Sequence, residues 1–222
     1  MTLGRPRLHL RAVGSTNERA KALAAAGAPH GTLVTAGTQT AGRGRQGRGW
    51  VTPAGRALAL SLVLREADAL LPLRAGLAVA DLAGADATVK WPNDVLLGGG
   101  KVAGVLAEGR PQEAWWVLGA GVNVAVGASA LPAGAATLGR APGDLEPALA
   151  ELLAALEHRL SQPAGATLDA VRARDALLGA PVAWAGGDGV GAGIDASGGL
   201  RVRLADGGEI VLGAGEVHLA RR

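Results

Sequence analysis

The sequence pattern changes near residue 179, and this change indicates two kinds of structure in series. Before it, β-branched or alternating segments are interleaved with Ala- and Leu-rich segments of helical spacing, such as 145–160. After it, five short strand-like segments are separated by glycine-rich turns. The first pattern is typical of an α+β domain and the second of a small β-barrel. We therefore predict a mixed β-sheet with flanking helices over 1–178 and a β-barrel over 179–222.

Hydrophobic spacing and turn residues predict the individual elements. Four leucines within 57–64 stand at every second position, which predicts a strand with one buried and one exposed face. Ser15 and Glu18 have the spacing of a capping box that begins a helix reaching residue 26. Further helices are predicted over 72–83, 145–160 and 167–178. Further strands are predicted over 8–13, 32–38, 88–91, 94–97, 101–108, 114–124, 181–185, 190–195, 200–204, 209–212 and 216–219.

Composition excludes several classes of function. The chain has no Cys, so it has no disulfide, thiolate metal site or cysteine nucleophile. The net charge of +3 permits nucleic-acid binding without indicating it, and neither a P-loop nor a GxGxxG motif is present. The first residues lack the apolar segment of a signal peptide, and 117–139 is too rich in glycine to span a bilayer. We therefore expect a cytoplasmic protein that does not contact membranes.

The segment 42–49 reads GRGRQGRG and directly precedes Trp50. Glycine lets a backbone wrap closely around a ligand, and the guanidinium groups of Arg43, Arg45 and Arg48 match phosphate oxygens in bidentate geometry. The indole of Trp50 can stack on a nucleobase. The same segment is equally typical of a solvated basic turn or of an RGG-like contact with RNA. Taken alone, it leaves these interpretations open.

A second motif, KWPND at 90–94 followed by Lys101, concentrates residue types that are rare here, since the chain has only three Lys and three Asn. Oxygen atoms of Asn93 and Asp94 can bind Mg²⁺. Lys101 is a compact charge that can meet both a carboxylate and a phosphate. The alternative is an ordinary surface ion pair between Lys90 and Asp94. The clustering favours a functional site.

Polar residues at the ends of predicted strands suit a small neutral ligand. Ser15, Thr16, Asn17 and Gln39 can hydrogen-bond such a ligand, although capping of the helix is the competing interpretation for Ser15. The sequence GAGVN at 119–123 lets the backbone approach a ligand closely, or it is simply a tightly packed strand.

Together these motifs resemble those of the bacterial biotin protein ligases in order and spacing. The matching segments are STN at 15–17, TQTAGRGRQGRGW at 38–50, KWPND at 90–94, KVAGVLAE at 101–108 and GAGVN at 119–123. The tail at 215–219 resembles the end of that family's C-terminal barrel. The resemblance implies a class II synthetase-like catalytic domain of the biotin and lipoate ligase type, followed by a small SH3-like β-barrel.

The resemblance also implies a reaction in two steps. Biotin and MgATP first give biotinyl-5′-AMP and pyrophosphate. The biotinyl group then passes to one lysine of a biotin carboxyl carrier protein. Bringing a carboxylate to the α-phosphate of ATP crowds negative charge, which Lys101, the arginines of 42–49 and Mg²⁺ are expected to neutralise. We expect the glycine- and arginine-rich segment to close over the intermediate as a flap that excludes water.

Roles for individual residues follow from the same resemblance. The catalytic residues are expected to be Lys101, Arg45 and Arg43. Biotin is expected to be bound by Ser15, Thr16, Asn17, Gln39, Gly42, Arg43, Lys101, Gly104 and Gly121. ATP and the adenylate are expected to be bound by Arg43, Gly44, Arg45, Arg48, Trp50, Lys90, Asn93 and Asn123. The metal is expected to be bound by Asn93 and Asp94.

Several alternatives and expectations complete the sequence-based interpretation. Regulatory ligases carry a helix-turn-helix domain before the STN motif; only fourteen residues precede it here, so we expect no DNA binding. A homodimer formed by pairing edge strands is compatible with the sequence. The nearest enzyme alternative is a lipoate ligase or octanoyl transferase, and the KWPND motif, the Gly/Arg segment and the predicted barrel favour biotin. The alternative without enzymatic activity is a basic module that binds RNA or DNA through residues 43–48.

Overall fold

The computed structural model describes residues 3–51, 53–213, 215 and 217–219. A seven-stranded sheet has the order β1-β2-β3-β7-β6-β5-β4, in which β1 and β2 run parallel and the other neighbours antiparallel. Its strands are β1 (Arg7–Leu10), β2 (Leu33–Ala36), β3 (Ala57–Leu64), β4 (Thr88–Lys90), β5 (Asp94–Leu97), β6 (Gly100–Arg110) and β7 (Trp115–Asn123). The helices are α1 (Thr16–Ala25), α2 (Leu71–Ala83), α3 (Leu145–Ser161) and α4 (Ala164–Ala173). The predicted mixed sheet with flanking helices is confirmed.

A second, antiparallel sheet forms the C-terminal part of the chain. Its strands are β8 (Pro181–Trp184), β9 (Gly187–Ile194), β10 (Leu200–Arg203), β11 (Glu209–Leu212) and β12 (His218–Leu219), in the order β11-β10-β9-β8-β12. Within the described residues β11 and β12 are edge strands that do not pair with each other. The sheet is therefore open, and the predicted closed SH3-like barrel is not confirmed. Glu216, the first residue of the strand predicted over 216–219, lies outside the described residues.

The second sheet shares its core with the first part of the chain. Val182 and Leu200 belong to the same buried cluster as Leu77 of α2. The indole Nε1 of Trp91 donates a hydrogen bond of 2.9 Å to the carbonyl of Gly198. The predicted division into 1–178 and 179–222 stays a prediction, because the sheets change near residue 179 while the buried core continues across it.

Strand β3 differs from the sequence-based expectation because both of its faces are buried. All eight residues are buried, and the predicted exposed face is wrong. The leucine face packs in the main core with α2 and α3. The opposite face carries Ala57, Ala59, Ser61 and Val63, and Val63 packs with Ala20 of helix α1. The alternation of leucines predicts only one buried face. The residues between the leucines are small, so helix α1 can pack on them and bury the second face as well.

The predicted capping box at the start of α1 is also wrong. Ser15 has the extended backbone of an N-cap residue, yet within the described residues its side chain makes no capping hydrogen bond to the first turn of the helix. Glu18 instead forms ion pairs with Lys21 at 2.6 Å and with Arg43 at 2.7 Å. Ion pairs with groups outside the first turn have replaced the local cap.

Arg74 is a buried charge that caps the end of α3 from a neighbouring helix. Its guanidinium donates to the carbonyls of Arg159 and Gln162 and forms an ion pair of 3.0 Å with Asp68. We expect Arg74→Met to lower the free energy of unfolding by about 2–4 kcal/mol, because it leaves buried acceptors without a donor. Urea-induced unfolding measures this. Arg201→Met, which removes an exposed ion pair, should leave the free energy of unfolding nearly unchanged, and equal losses in the two variants would contradict the capping role.

No helix in the part of the chain that the structure describes is long and apolar enough to cross a bilayer.

Candidate active site

A cleft lies where the N-terminus of α1, the loop 39–50 and strands β5, β6 and β7 meet. The predicted site residues found there come from five separate segments of the sequence. The predicted site residues that line it are Ser15, Thr16, Asn17, Gln39, Arg43, Gly44, Arg45, Arg48, Trp50, Lys90, Asn93, Asp94, Lys101, Gly104 and Gly121. The motifs that the sequence analysis singled out therefore share one site.

Two predicted site residues do not line this cleft. Gly42 lies at the base of the loop, where its carbonyl accepts a hydrogen bond from the Trp50 backbone N–H at 2.9 Å. Asn123 is buried at the end of β7, and its side chain donates to the carbonyl of Ala136 at 2.9 Å. The structure thus gives Asn123 a role in holding the segment after β7, and its contact with a nucleotide stays a prediction.

A carboxylate flanked by two amines forms the charged centre of the cleft. Lys101 Nζ lies 2.7 Å from Asp94 Oδ1, and Lys90 Nζ lies 3.8 Å from Asp94 Oδ2. The pairing of β4 with β5 places Lys90 opposite Asp94, and the pairing of β5 with β6 brings Asp94 near Lys101. The exposed fractions of the Lys90 and Asp94 side chains are 16% and 15%, so this is not the ordinary surface pair considered as the alternative.

The cleft has an excess of positive charge. Burial lowers the pKa of Lys90, and the charges of Lys101 and Arg48 lower it further, while Asp94 opposes the effect. Burial likewise lowers the pKa of Arg45, although its guanidinium stays protonated at neutral pH. Cations held this close repel each other until an anion arrives. The arrangement is therefore suited to binding an anionic ligand.

The loop 42–50 folds back on itself beside this centre. Arg43 and Gly49 form an isolated β-bridge, and the Gly44 backbone N–H donates to the carbonyl of Arg48 at 2.7 Å. Arg45 Nη1 lies 3.4 Å from Asn93 Oδ1, whereas Arg43 pairs with Glu18. Two arginines therefore tie the loop to opposite sides of the cleft.

The indole of Trp50 lies against strands β6 and β7, which bear glycine at the points of contact. A Cβ atom on Gly121 would lie 2.2 Å from Trp50 Cε2, and one on Gly104 would lie 3.4 Å from the ring. The Lys101 ammonium lies 5.7 Å from the ring centroid, within the range of a cation–π contact. Trp50 Nε1 is buried and has no hydrogen-bond partner among the described residues. The indole ring of Trp50 therefore lies in the cleft, with its N–H available to donate a hydrogen bond to a ligand.

The seat of Trp50 can be tested by filling it. We expect Gly121→Ala to lower the free energy of unfolding by about 1–3 kcal/mol, because the added methyl overlaps the indole. The loss should nearly disappear in a Trp50→Ala background, giving a coupling of about 1 kcal/mol or more in a double-mutant cycle measured by denaturant unfolding. Gly143→Ala, where a Cβ would meet open space, is the matched control. Equal losses in both backgrounds would contradict this placement of Trp50.

The opposite end of the cleft is polar without net charge. Gln39 Oε1 accepts hydrogen bonds from the Thr16 backbone N–H at 2.9 Å and from the Thr16 hydroxyl at 3.1 Å. The hydroxyl of Ser61, which is fully buried on β3, lies 2.9 Å from Thr16 Oγ1 and 2.6 Å from Asn17 Oδ1. Such convergent groups can fix the orientation of a small polar ring.

The predicted metal ligands are already engaged. Asn93 Nδ2 donates to the carbonyl of Val105 at 2.9 Å, and Asp94 is paired with lysine. Throughout the described ranges, no three side chains of the His, Cys, Asp and Glu types are grouped to hold a metal ion. A divalent ion here would need most of its ligands from a bound substrate.

Sequence reasoning missed part of the site. The cleft is also lined by Gln46, Gly49, Leu60, Pro92, Val105, Leu106, Gly119, Ala120, Gly215 and Val217. All of these except Leu60, Gly215 and Val217 lie within the motifs at 38–50, 90–94, 101–108 and 119–123, but no individual role was assigned to them from the sequence. Gly215 and Val217 come from the C-terminal part of the chain, and no motif there indicated a place in the cleft. Ser61 and Glu108 act behind the lining, and each depends on strand register that the sequence does not display.

Comparison with known proteins identifies the class to which this fold and site belong. The model of the biotin/lipoate A/B protein ligase family matches residues 10–123, and the chain belongs to that family. Among curated relatives, the biotin–[acetyl-CoA-carboxylase] ligase of Mycobacterium tuberculosis is 41% identical over 166 residues, which cover 67% of this chain and 62% of the relative. The bifunctional ligase/repressor BirA of Bacillus spizizenii is 38% identical over 134 residues, covering 55% of this chain and 41% of the relative.

Among solved structures, the biotin protein ligase of Aquifex aeolicus in complex with biotin and ATP is similar over nearly the whole chain. It superposes with a TM-score of 0.82 at 28% identity, covering 98% of this chain and 100% of that one. The chain spans 62% and 41% of the length of the two curated relatives named above. Because the Aquifex structure covers 98% of this chain, its similarity includes the C-terminal sheet as well as residues 10–123.

Proposed function

We propose that the protein is an ATP-dependent ligase that activates biotin as biotinyl-5′-AMP and transfers the biotinyl group to a lysine of a biotin carboxyl carrier protein. The observation that carries this proposal is the shared cleft. It holds a neutral polar end at Thr16 and Gln39 and a cationic end at Lys101, Lys90 and Arg45. Biotin has this same division, with a neutral cyclic urea at one end and a carboxylate at the other.

In the first step a carboxylate oxygen of biotin attacks the α-phosphorus of ATP. The new carbon–oxygen–phosphorus link forms as the α–β phosphoanhydride bond breaks, and pyrophosphate leaves with the bonding electron pair. Two anionic groups must approach each other, and the charge on the leaving oxygen grows in the transition state. Lys101, which pairs with Asp94 in the cleft, is the ammonium that we propose contacts both reacting groups. Arg45 and Arg48 supply further positive charge for the phosphates.

In the second step the uncharged lysine amine of the carrier attacks the acyl carbon. An amide forms, AMP leaves, and the amine loses its proton. The mixed anhydride is sensitive to water, so it must be covered until the carrier arrives. The loop 42–50 already contacts both sides of the cleft through Arg43 and Arg45. We infer that it serves as the cover and that Trp50 provides an aromatic surface for the adenine.

We infer that Mg²⁺ accompanies ATP. One carboxylate and one amide oxygen, those of Asp94 and Asn93, are the groups that would hold the ion together with phosphate oxygens, which is a common arrangement for nucleotide-bound Mg²⁺. The ion would neutralise charge on the phosphates when bound. Asp94 keeps the nearby Lys101 in place in either case.

The remaining proposals concern partners and location. Two relatives are biotin–[acetyl-CoA-carboxylase] ligases, so a carrier domain of such a carboxylase is the partner that we propose. The enzyme is proposed to act in the cytoplasm. A homodimer is proposed through β1, which is an edge strand of the seven-stranded sheet within the described residues.

Pyrophosphate release tests the proposed function. The protein is incubated with ATP and Mg²⁺ together with biotin, lipoate or octanoate. Release with biotin alone is expected. Release with lipoate or octanoate but not with biotin would instead assign the protein to the lipoate branch of the family. Tight, salt-sensitive RNA or DNA binding without pyrophosphate release would support a nucleic-acid-binding module.

A further inference from the structure

A hydrogen-bonded chain runs behind the polar end of the cleft, from Lys21 to Thr16. Lys21 Nζ lies 3.0 Å from Glu108 Oε1, and Asn17 Nδ2 lies 2.9 Å from Glu108 Oε2. Asn17 Oδ1 lies 2.6 Å from Ser61 Oγ, which in turn lies 2.9 Å from Thr16 Oγ1. Thr16 and Asn17 line the cleft, whereas Ser61 and Glu108 lie behind that lining. Nothing in the proposed reaction requires these two residues to touch a substrate.

The carboxylate of Glu108 determines which way the Asn17 amide faces. Burial alone would raise the pKa of Glu108, but the hydrogen bonds from Asn17 and Lys21 outweigh burial and lower it. Glu108 is therefore ionised at neutral pH and can only accept hydrogen bonds. The Asn17 NH₂ group must face it, and the carbonyl oxygen of Asn17 must face Ser61.

The orientation of Asn17 then fixes the hydroxyl hydrogens. An amide oxygen only accepts, so the single hydrogen of Ser61 is donated to Asn17 at 2.6 Å. Both neighbours of the Thr16 hydroxyl, Ser61 Oγ and Gln39 Oε1, are then acceptors. The Thr16 hydrogen is consumed within the protein, and Thr16 Oγ1 offers only lone pairs to a ligand.

The packing around Asn17 holds this arrangement in place. Strand register places Ser61 opposite Gly119 on β7. A Cβ atom on Gly119 would lie 2.1 Å from Asn17 Oδ1, so the amide occupies the space that a side chain at 119 would fill. Asn17 itself is buried, with an exposed fraction of 4%. Its amide has little room to turn over.

We propose that Glu108 and Ser61 are positioning residues that direct the Ser61 hydrogen to Asn17 and so keep the lone pairs of Thr16 free for a ligand ring bearing an N–H donor. The inference rests on the proposed function and deepens it. The cyclic urea of biotin carries N–H groups, whereas the dithiolane ring of lipoate carries none. A site whose polar groups are fixed in advance discriminates strongly against a ligand that leaves one of them unpaired.

The test compares biotin with biotin methylated at either ureido nitrogen, which removes one N–H at a time. Dissociation constants are measured by calorimetry for the wild-type protein, Ser61→Ala and Glu108→Gln. In wild type, methylation at the nitrogen facing Thr16 should weaken binding at least 10-fold, which is the value of about one hydrogen bond. In both variants biotin itself should bind about 10-fold more weakly, and the penalty for that methyl group should shrink several-fold. The Ser61 hydroxyl is then either absent or free to donate to Thr16, so the hydrogen bond between Thr16 and the ureido N–H contributes less to binding.

Matched controls and thermal unfolding separate this role from a structural one. Ser161→Ala and Glu151→Gln, both exposed on α3, should change neither affinity nor the methylation penalty. Variants that bind biotin more weakly, or unfold at a lower temperature, with the methylation penalty unchanged would show that Ser61 and Glu108 only support the fold, and would overturn the inference alone. Wild-type protein that binds no biotin would overturn the proposed function and this inference with it.

Discussion

Replacing Lys101 by alanine is expected to lower the rate of adenylate formation by about 10²–10³-fold, as removal of a charge that contacts the transition state does. Its ammonium is 2.7 Å from Asp94 and sits beside the glycine at 104 and the indole of Trp50. It is thus held in place before the substrates arrive. Its loss also leaves the Asp94 carboxylate without its nearest positive partner, and this uncompensated negative charge would repel the incoming phosphates. Single-turnover pyrophosphate release measures the effect.

The control removes a cation that is remote from the cleft. Arg203→Ala on β10 lowers the net charge by the same amount and should keep the wild-type rate. The affinity of Lys101→Ala for biotin should fall less than its rate, because the charge acts mainly on the transition state. Near-normal turnover by Lys101→Ala would show that the charge needed for the first step lies elsewhere in the cleft.

Replacing Arg45 by glycine is expected to release the activated intermediate before the carrier binds. The Arg45 guanidinium is partly buried and reaches Asn93 at 3.4 Å, so it joins the loop to the KWPND segment. Loss of this contact and of its charge on the phosphate should raise the dissociation rate of biotinyl-5′-AMP about 10-fold or more. The free anhydride would then modify exposed lysines of unrelated proteins.

Labelling in a mixture of the carrier domain and unrelated proteins measures this release. Wild type should label the carrier alone, whereas Arg45→Gly should label many proteins in proportion to their exposed lysines. Arg110→Gly, which removes an exposed arginine outside the cleft, should behave as wild type. Carrier-specific labelling by Arg45→Gly would contradict the role of the loop as a cover.

The cleft could be predicted from the sequence because its chemistry is carried by short motifs with rare residues. Lys90, Asp94 and Lys101 lie within twelve consecutive residues, and two tight strand pairings are enough to bring them together. The loop arginines are likewise contiguous. For such residues local sequence and final geometry agree, so the motifs taken together indicate the site.

Other features could not be predicted, because they depend on contacts between distant elements. The capping box at Ser15 failed since Glu18 found stronger partners in Lys21 and Arg43. Strand β3 lost its predicted exposed face because helix α1 packs on the small residues between its leucines. Ser61 is a single polar residue outside the quoted motifs, and Glu108 ends the KVAGVLAE segment with no role assigned to it from the sequence. Their roles become visible only in the structure, where the pairing of β3 with β7 places Ser61 opposite Gly119 and beside Asn17.

The C-terminal sheet shows a similar limit. Alternating apolar and charged residues correctly indicated short strands such as β10, whose burial alternates along its length. Closure into a barrel depends on how the first and last strands meet, and within the described residues β11 and β12 stay at opposite edges. Alternation along a strand carries no information about such closure.

Mass spectrometry of the small molecule retained by the protein tests the central claim most directly. The protein is incubated with biotin, ATP and Mg²⁺ without a carrier, separated from free ligand and denatured. A retained species with the mass of biotinyl-5′-AMP is expected, and it should be absent when lipoate replaces biotin. Recovery of unreacted biotin and ATP alone, or of a lipoyl adenylate, would contradict the account.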